Sequence, residues 1–200
     1  MELQFVLANM NDATLATAPR FLTLGELEAG LEQIRQAPKD HGVLDLIVSR
    51  PGTDQRQVRE EARLDLVLGL EGDTWKSRGS SKTADGFANP ETQLTLMNAR
   101  VIALLAQSKT HWPLAGDQLF LDLDLSTANL PAGTKLAIGS AVIEVTPPPH
   151  TGCKKFEARF GPDATKFVNS PMGRELNLRG INAKILKPGL VRVGDSVTKV

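Results

Sequence analysis

Residues 119–125, LFLDLDL, and residues 135–145, KLAIGSAVIEV, decide the fold class of this 200-residue chain. The first stretch alternates, which predicts a strand with one buried face and with Asp122 and Asp124 on the other face. The second predicts two strands joined at residues 139–140, because Gly-Ser is typical of a hairpin turn. Short strands separated by Gly and Pro turns favour a barrel or a sandwich over a parallel α/β sheet.

The remaining strands are predicted on both sides of this centre. Apolar stretches at residues 43–49 and 63–70 precede it, and stretches at 181–186 and 190–197 close the chain. Residues 94–106, LTLMNARVIALLA, begin as a strand, and their second part fits either a strand or a helix. The chain is therefore predicted to be mainly β with short helices, with about seven to nine strands.

Local signals also mark helix starts and a first strand. Thr23, with Glu26 three residues later, forms a capping box. Ser170-Pro171 is an N-cap followed by proline at the first helical position. Residues 2–8 predict a short strand before the first helix.

Three features are predicted to lie in loops. The polar stretch 50–62 predicts a surface connection, and Asp117, which follows a glycine, predicts a turn. Residues 71–92 lack periodicity, and a loop of that length is more often functional or mobile. This loop, with Trp75, Lys76, Arg78 and Lys82, is interpreted either as a lid over a pocket or as a mobile insertion.

Composition excludes several classes of protein. The 23 basic and 23 acidic residues give a net charge of zero, which argues against nucleic-acid binding through bulk charge. No apolar run approaches the ~20 residues of a membrane span, and the N-terminus does not resemble a signal peptide. The single cysteine cannot form an internal disulfide, which fits a reducing compartment. We therefore expect a cytoplasmic protein with neither nucleic-acid nor membrane partners.

The sequence TPPPHTGCKKF at residues 146–156 is the strongest candidate site. Three prolines hold the approach extended, and the only cysteine, Cys153, follows a glycine. A helix N-terminus and cations such as Lys154 and Lys155 lower the pKa of a thiol, and His150 is close enough in sequence to accept its proton. The alternative is a small buried cysteine, which is the commoner fate of a free thiol.

Two other chemistries for Cys153 find weaker support. A structural zinc site needs four ligands, and only His41 and His111 remain beside His150 and Cys153. A cofactor-independent thiol enzyme could use Cys153 and His150, but it would need an orienting Asn or Asp that the sequence does not locate.

The second half of the chain resembles the MOSC domain, named for the C-terminal domain of molybdenum cofactor sulfurases. The landmarks occur in order: GLEGD at 69–73, TQLTLMNARVIALLA at 92–106, the stretch 115–145, PPPHTGC at 147–153 and RGINAKILKPGLVRVGDSV at 179–197. The resemblance implies a β-barrel-like fold. It also implies that the chain has two parts. Residues 1–57 are an N-terminal extension that contains a short strand, a helix and the first barrel strand and that packs on the barrel. Residues 58–200 are the MOSC domain.

The same resemblance implies a function and a set of partners. It implies binding of the molybdenum cofactor (molybdopterin), with Cys153 carrying sulfur or ligating molybdenum, in cofactor sulfur transfer or in reduction of N-hydroxylated compounds. One cysteine cannot hold an iron–sulfur cluster, and no pyridoxal phosphate is expected within this chain. A cysteine desulfurase or an electron-donor reductase is therefore expected in trans. A non-catalytic adaptor that binds a cofactor or another anion is the alternative.

Further binding residues are assigned around the cysteine. The phosphate of molybdopterin suits arginine forks and backbone amides. The candidates are His150 as a catalytic neighbour, and Thr151, Gly152, Lys154, Lys155, Arg159, Arg174, Arg179, Asn98 and Arg100 as cofactor-binding residues. For each basic residue taken singly, a solvated surface charge is the competing interpretation.

Overall fold

A closed barrel of seven strands is the centre of the computed structural model, which describes residues 19–80 and 83–200. The strands of the described chain are β1 Gly42–Ser49, β2 Gln57–Arg59, β3 Glu61–Asp65, β4 Gly69–Leu70, β5 Leu94–Asn98, β6 Leu119–Asp122, β7 Lys135–Ile138, β8 Ala141–Thr146, β9 Ile181–Lys187, β10 Gly189–Arg192 and β11 Ser196–Lys199. The strand predicted at residues 2–8 lies outside the described residues.

The barrel closes in the order β1-β6-β5-β9-β8-β7-β11 and back to β1. Neighbouring strands are antiparallel except β5 and β6, which pair in parallel with Leu96 opposite Leu119. Strand β2 extends the sheet from β1, and β10, β3 and β4 form a second, small antiparallel sheet. The predicted mainly β, barrel-like fold with short helices is confirmed.

The described chain also contains short helices, most of which pack on one side of the barrel. They are α1 Leu24–Ala29, α2 Leu31–Arg35, α3 Trp75–Arg78, α4 Ala99–Ala106, α5 Lys154–Phe160, α6 Pro162–Asn169 and α7 Pro171–Glu175, with 3-10 helices at Pro90–Thr92 and Lys109–Ala115. The capping box of Thr23 with Glu26 and the Ser170 N-cap with its following proline are confirmed. No helix within residues 19–80 and 83–200 has the length and apolar character needed to cross a membrane.

Two hydrophobic cores lie on opposite faces of the barrel wall, and β6 contributes to both. Leu119 and Leu121 belong to the cluster inside the barrel, whereas Phe120 packs in the cluster under the helices. The strand predicted at residues 119–125 is present but shorter, and the expectation that it buries only one face is wrong. The helical layer covers the outer face of this strand at Phe120, so β6 buries side chains on both faces, while Asp122 stays partly exposed.

Loops from four strands meet at one end of the barrel. Ile47 near the end of β1 lies opposite Leu119 at the start of β6, and Thr146 at the end of β8 lies opposite Asn182 near the start of β9. The segments that follow β1 and β8 and those that precede β6 and β9 are therefore brought together. This convergence places the 146–156 stretch beside residues more than 100 positions away in sequence, since Lys155 lies 3.7 Å from Asp54.

Candidate functional site

A cavity of about 520 Å³ opens at this end of the barrel. Its volume falls within the range of small-molecule pockets, about 300–1,000 Å³. Cys153 and His150 lie in its wall, together with the hydroxyl-bearing residues Thr53, Thr74, Ser77 and Thr95. Six basic residues also line it: Arg50, Arg56, Arg78, Lys155, Arg159 and Arg179. The cavity is thus strongly cationic in a chain whose net charge is zero.

Cys153 is exposed at the start of α5, where it is the N-cap residue. Burial would raise the pKa of its thiol, but the backbone N–H groups of Phe156 and Lys155 and the charge of Arg179 outweigh that effect, so that the pKa is lowered. The alternative of a buried structural cysteine is excluded, because the side chain is exposed. The thiol therefore faces the cavity in a setting that favours the reactive thiolate.

Two asparagines hold the backbone before Cys153. Asn169, the last residue of α6, accepts a hydrogen bond from the Gly152 N–H (2.9 Å) and donates one to the Gly152 carbonyl (3.1 Å). Asn182 donates to the carbonyl of Pro148 (2.9 Å). Gly152 is closely surrounded, since a Cβ there would lie 3.0 Å from Val168 Cγ2. The loop therefore presents its thiol from a fixed backbone, and the sequence pattern did not identify either asparagine.

Asp117 is a buried carboxylate that contacts two residues lining the cavity, Arg179 and His150. It is fully buried, and one of its oxygens accepts a hydrogen bond from Arg179 Nη1 at 2.7 Å. Its other oxygen lies 3.4 Å from His150 Nδ1. Burial raises the pKa of Asp117, and the charges of Arg179, Arg50 and Arg56 act in the opposite direction. The interpretation of Asp117 as a turn residue is wrong, because this carboxylate is the buried counterion of the site.

Arg179 lies beneath the helix that begins after Cys153. Its second guanidinium nitrogen donates to the carbonyl of Ala115 (3.0 Å), and the guanidinium lies 4.9 Å from the ring centroid of Phe156. Only 6% of the residue is exposed. The ion pair with Asp117 and the stacking on Phe156 fix its orientation.

Three arginines of the cavity come from the two segments predicted as loops. Arg50 forms a bidentate pair with Asp73, with distances of 2.7 and 3.0 Å, and donates to the carbonyl of Gly116. Arg56 and Arg78 have no carboxylate within ion-pair distance in the described part of the chain. The surface connection predicted for residues 50–62 is therefore wrong for Arg50 and Arg56, which contribute to the cavity.

Partial burial and neighbouring cations both disfavour the positive charges of Arg56 and Arg78. Burial lowers the pKa of Arg56, and the nearby charges of Arg159 and Arg50 lower it further. Burial and Arg50 likewise lower the pKa of Arg78. Among the described residues, the buried Nε atom of Arg56 has no hydrogen-bond partner. Both guanidinium groups remain charged, since arginine does not deprotonate in proteins. The cavity therefore contains cationic groups that have no carboxylate within ion-pair distance among the described residues.

The segment 71–92 contributes to the cavity wall rather than forming a structureless loop. It contains α3 and the 3-10 helix Pro90–Thr92, and Thr74, Ser77 and Arg78 line the cavity. Trp75 is buried. Lys82, which the sequence grouped with them, lies outside the described residues.

The structure brings together only part of the predicted binding set. His150, Cys153, Lys155, Arg159 and Arg179 line the cavity, whereas Thr151 and Lys154 are exposed beside it. The predicted set also includes Gly152, which is held by Asn169, and Arg174, whose side chain donates to the carbonyl of Asn169.

Asn98 and Arg100 lie elsewhere. The Asn98 side chain caps α4 and donates to the carbonyl of Leu123 at 2.7 Å. Arg100 pairs with Asp122 at 2.7 Å and lines a different cavity, of about 400 Å³, between α2 and α4. Both residues therefore serve the packing of α4 against the barrel rather than the cavity at Cys153.

The described residues contain no group of three or more His, Cys, Asp or Glu side chains that could hold a metal ion on their own. Cys153 is the only sulfur donor of the chain besides its methionines. A metal bound here would thus need most of its ligands from another molecule.

The family model of the MOSC domain matches residues 88–198, more than half of the chain. Among solved structures, the YuaD protein from Bacillus subtilis aligns with a TM-score of 0.56 at 17% identity, over 78% of this chain and 93% of that one. YiiM from Escherichia coli aligns with a TM-score of 0.51 at 20% identity, over 79% of this chain and 69% of that one. At such identities these structures establish similarity of fold alone. None of the curated proteins matches the sequence.

Proposed function

Because the chain belongs to the MOSC domain family, which is associated with the molybdenum cofactor, we propose that the cavity beside Cys153 binds that cofactor. The observation that carries the proposal is a combination found in one cavity: an exposed thiol with a lowered pKa, and two arginines that have no carboxylate within ion-pair distance among the described residues. Neither feature alone would indicate a ligand. Together they suit a molecule with an anionic end and a centre that prefers sulfur.

The cationic wall suits the phosphate of molybdopterin. Arg56 and Arg78 lack carboxylate partners in the described chain, and the buried Nε of Arg56 has no hydrogen-bond acceptor. A phosphate offers several strong acceptor oxygens and favours the planar fork of arginine. The hydroxyl groups of Thr74 and Ser77 lie in the same wall. We therefore assign the phosphate to Arg56 and Arg78, which were not among the residues predicted from sequence.

Cys153 supplies the sulfur contact. A lone thiolate can serve as one ligand of a metal whose other ligands belong to the cofactor, or it can carry a transferable sulfur atom. When bound, the cofactor would supply two-electron redox chemistry at molybdenum. The protein's part is to hold the thiol at a fixed place through the Asn169 contacts, and to lower its pKa through the backbone N–H groups of Phe156 and Lys155 and the charge of Arg179.

Cofactor sulfur transfer and reduction of N-hydroxylated compounds are both compatible with this arrangement. Each needs an external supply, either of sulfur or of electrons. The chain has one cysteine, which is too few for an iron–sulfur cluster. We therefore propose a cysteine desulfurase or an electron-donor reductase as a separate partner.

Metal and pterin analysis tests the proposal. Wild type, Cys153→Ser and Arg56→Gln are purified from a host that makes the cofactor, and molybdenum and pterin fluorescence are measured per chain. We expect both signals in the wild type and loss of both in Arg56→Gln. The matched control is Arg63→Gln, which removes the same charge from an exposed position on β3. Cofactor binding would be refuted if neither the wild type nor Cys153→Ser contained molybdenum or pterin.

Asp117 supports a second candidate, a cofactor-independent thiol enzyme. Such an enzyme needs an orienting acid beside its histidine. The buried Asp117 lies 3.4 Å from Nδ1 of His150, and His150 and Cys153 both line the cavity. This candidate predicts that cofactor-free protein is rapidly alkylated at neutral pH and that His150→Gln slows the alkylation. A thiol pKa near the ordinary ~8.5 in the wild type would count against it.

A further inference from the structure

Asp54 extends into the mouth of the cavity from the loop between β1 and β2. Its Oδ1 lies 3.1 Å from Arg159 Nη2 and 3.7 Å from Lys155 Nζ. These two cations stand four residues apart on α5 and therefore lie on the same face of that helix. The Asp54 side chain is 61% exposed. It is thus a carboxylate at the rim of the cavity that is bound between two cations.

The other carboxylates near these cations are already engaged. Asp73 binds Arg50 through both oxygens and accepts the N–H of Trp75. Asp117 is buried against Arg179. Asp54 is the carboxylate that the described structure places within ion-pair distance of Lys155 and Arg159. If Asp54 moved away, both α5 cations would need a different counterion.

Two guanidinium groups converge above Gly116. A Cβ atom at this glycine would lie 3.3 Å from Arg56 Nη2 and 3.7 Å from Arg159 Nη1. Gly116 has a φ of 86°, and its missing side chain leaves the floor open beneath the two cations. Like charges held this close repel each other, and a ligand that places one anionic group beside each cation would offset the repulsion. The α5 cations therefore adjoin the arginines to which the cofactor phosphate was assigned.

The ion pairs of Asp54 with Arg159 and Lys155 can be replaced readily by those of another anion. An ion pair between exposed side chains adds little to stability, because water competes for both partners. The loop residue itself has a φ of 56°, a left-handed conformation that Asp and Asn tolerate better than other side chains. A ligand anion in the same place would be more desolvated and would also contact the arginines deeper in the cavity.

We propose that Asp54 occupies an outer anion subsite formed by Arg159 and Lys155, and that the second anionic group of a ligand bearing two such groups takes its place. The first anionic group lies at Arg56 and Arg78. The inference rests on the proposed function only in taking this cavity as the ligand site. It names the class of ligand, a molecule with two phosphate-like charges, and makes Asp54 an internal competitor for it.

Calorimetric titration of full-length, cofactor-free protein with pyrophosphate and with phosphate tests the subsite at low salt. We expect Asp54→Asn to bind pyrophosphate about three- to tenfold more tightly than the wild type, since it loses an exposed ion-pair competitor and one negative charge. The phosphate affinity of Asp54→Asn should differ less than twofold from that of the wild type, because phosphate fills only the inner subsite at Arg56 and Arg78. Arg159→Gln should weaken pyrophosphate binding and leave phosphate binding within about twofold.

The control for net charge is Glu157→Gln, which makes the same carboxylate-to-amide change on an exposed position of α5 outside the cavity wall. An equal gain in pyrophosphate affinity in this variant would overturn the proposal, because charge alone would explain the result. Unchanged or weaker pyrophosphate binding in Asp54→Asn, or no saturable binding in either protein, would also overturn it. The proposal of cofactor binding is tested by the molybdenum and pterin measurements, and the proposal of the outer subsite by the titrations. The failure of one proposal can therefore be distinguished from the failure of the other.

Discussion

Replacing Asp117 by Asn removes the counterion of a buried arginine with almost no change in volume. Asp117 is 0% exposed and accepts a 2.7 Å hydrogen bond from Arg179, whose side chain is 7% exposed. Asn keeps an oxygen that can accept this hydrogen bond but lacks the negative charge. Arg179 would retain the Ala115 carbonyl and the Phe156 ring as partners. The substitution therefore measures the contribution of the Asp117 charge to stability, apart from its hydrogen bond and its volume.

The expected loss follows from the burial of the pair. Removing one partner of a buried ion pair costs about 3–5 kcal/mol, because the remaining charge stays desolvated. At about 2–4 °C per kcal/mol for a chain of this size, the melting temperature should fall by about 6–20 °C. Urea unfolding measures the free energy of unfolding directly, and an unchanged slope would show that the unfolded state is unaffected.

The chain offers a matched control in the pair of Arg100 with Asp122. Its N–O distance is also 2.7 Å, but the two side chains are 27% and 31% exposed. Asp122→Asn should therefore cost about 1 kcal/mol or less. A double variant, Asp117→Asn with Arg179→Gln, should be less destabilised than the sum of its single changes, since it leaves no buried charge unpaired. Equal losses in Asp117→Asn and Asp122→Asn would refute the assignment of the effect to burial.

Three further predictions concern the cysteine loop and the first helix. Alkylation of Cys153 should show a midpoint below that of an ordinary thiol, and Arg179→Gln should raise it, because a cation that favours the thiolate is lost. Asn169→Leu should lower the free energy of unfolding by roughly 1–3 kcal/mol in urea, since the amide and carbonyl of Gly152 lose their partners. The pKa of Glu26 is lowered from 4.5 to about 2, chiefly by the Arg20 hydrogen bond. Its stabilising contribution is present above pH 4.5 and lost towards pH 2, so Glu26→Gln and wild type should converge in acid melts.

Features that depend on neighbouring residues were predicted well from the sequence. The strands at 135–145, the Ser170-Pro171 helix start and the capping box at Thr23 each rest on a few adjacent side chains and backbone groups. The ambiguous segment at 94–106 could also have been resolved. Asn98 is a good N-cap residue before an apolar run, and the structure ends β5 there and begins α4 at Ala99.

Features that depend on distant partners could not be predicted. Asp117 lies 62 residues from Arg179, and Arg50 lies 23 residues from Asp73. No local pattern distinguishes such a carboxylate from one in a surface turn, because Asp117 and Asp73 each follow a glycine, as turn residues often do. The cysteine was identified because its proline-rich approach and adjacent lysines are local. Arg50, Arg56 and Arg78 of its cavity come from other segments and required the barrel closure to be known.

The distribution of charge in the cavity explains why an anion, rather than a neutral ligand, is the expected occupant. Folding brings Arg56 next to Arg159 and Arg50, which costs free energy because like charges are held together in a partly desolvated place. A ligand that binds only the folded protein adds stability that grows with its concentration, about 2.7 kcal/mol at 100 times its Kd. A neutral ligand would gain nothing from these charges. An anion would be stabilised most by an arginine that has no carboxylate within ion-pair distance in the described structure, such as Arg56. Replacing Arg56 should therefore reduce anion-induced stabilisation more than replacing Arg50, whose charge Asp73 already balances.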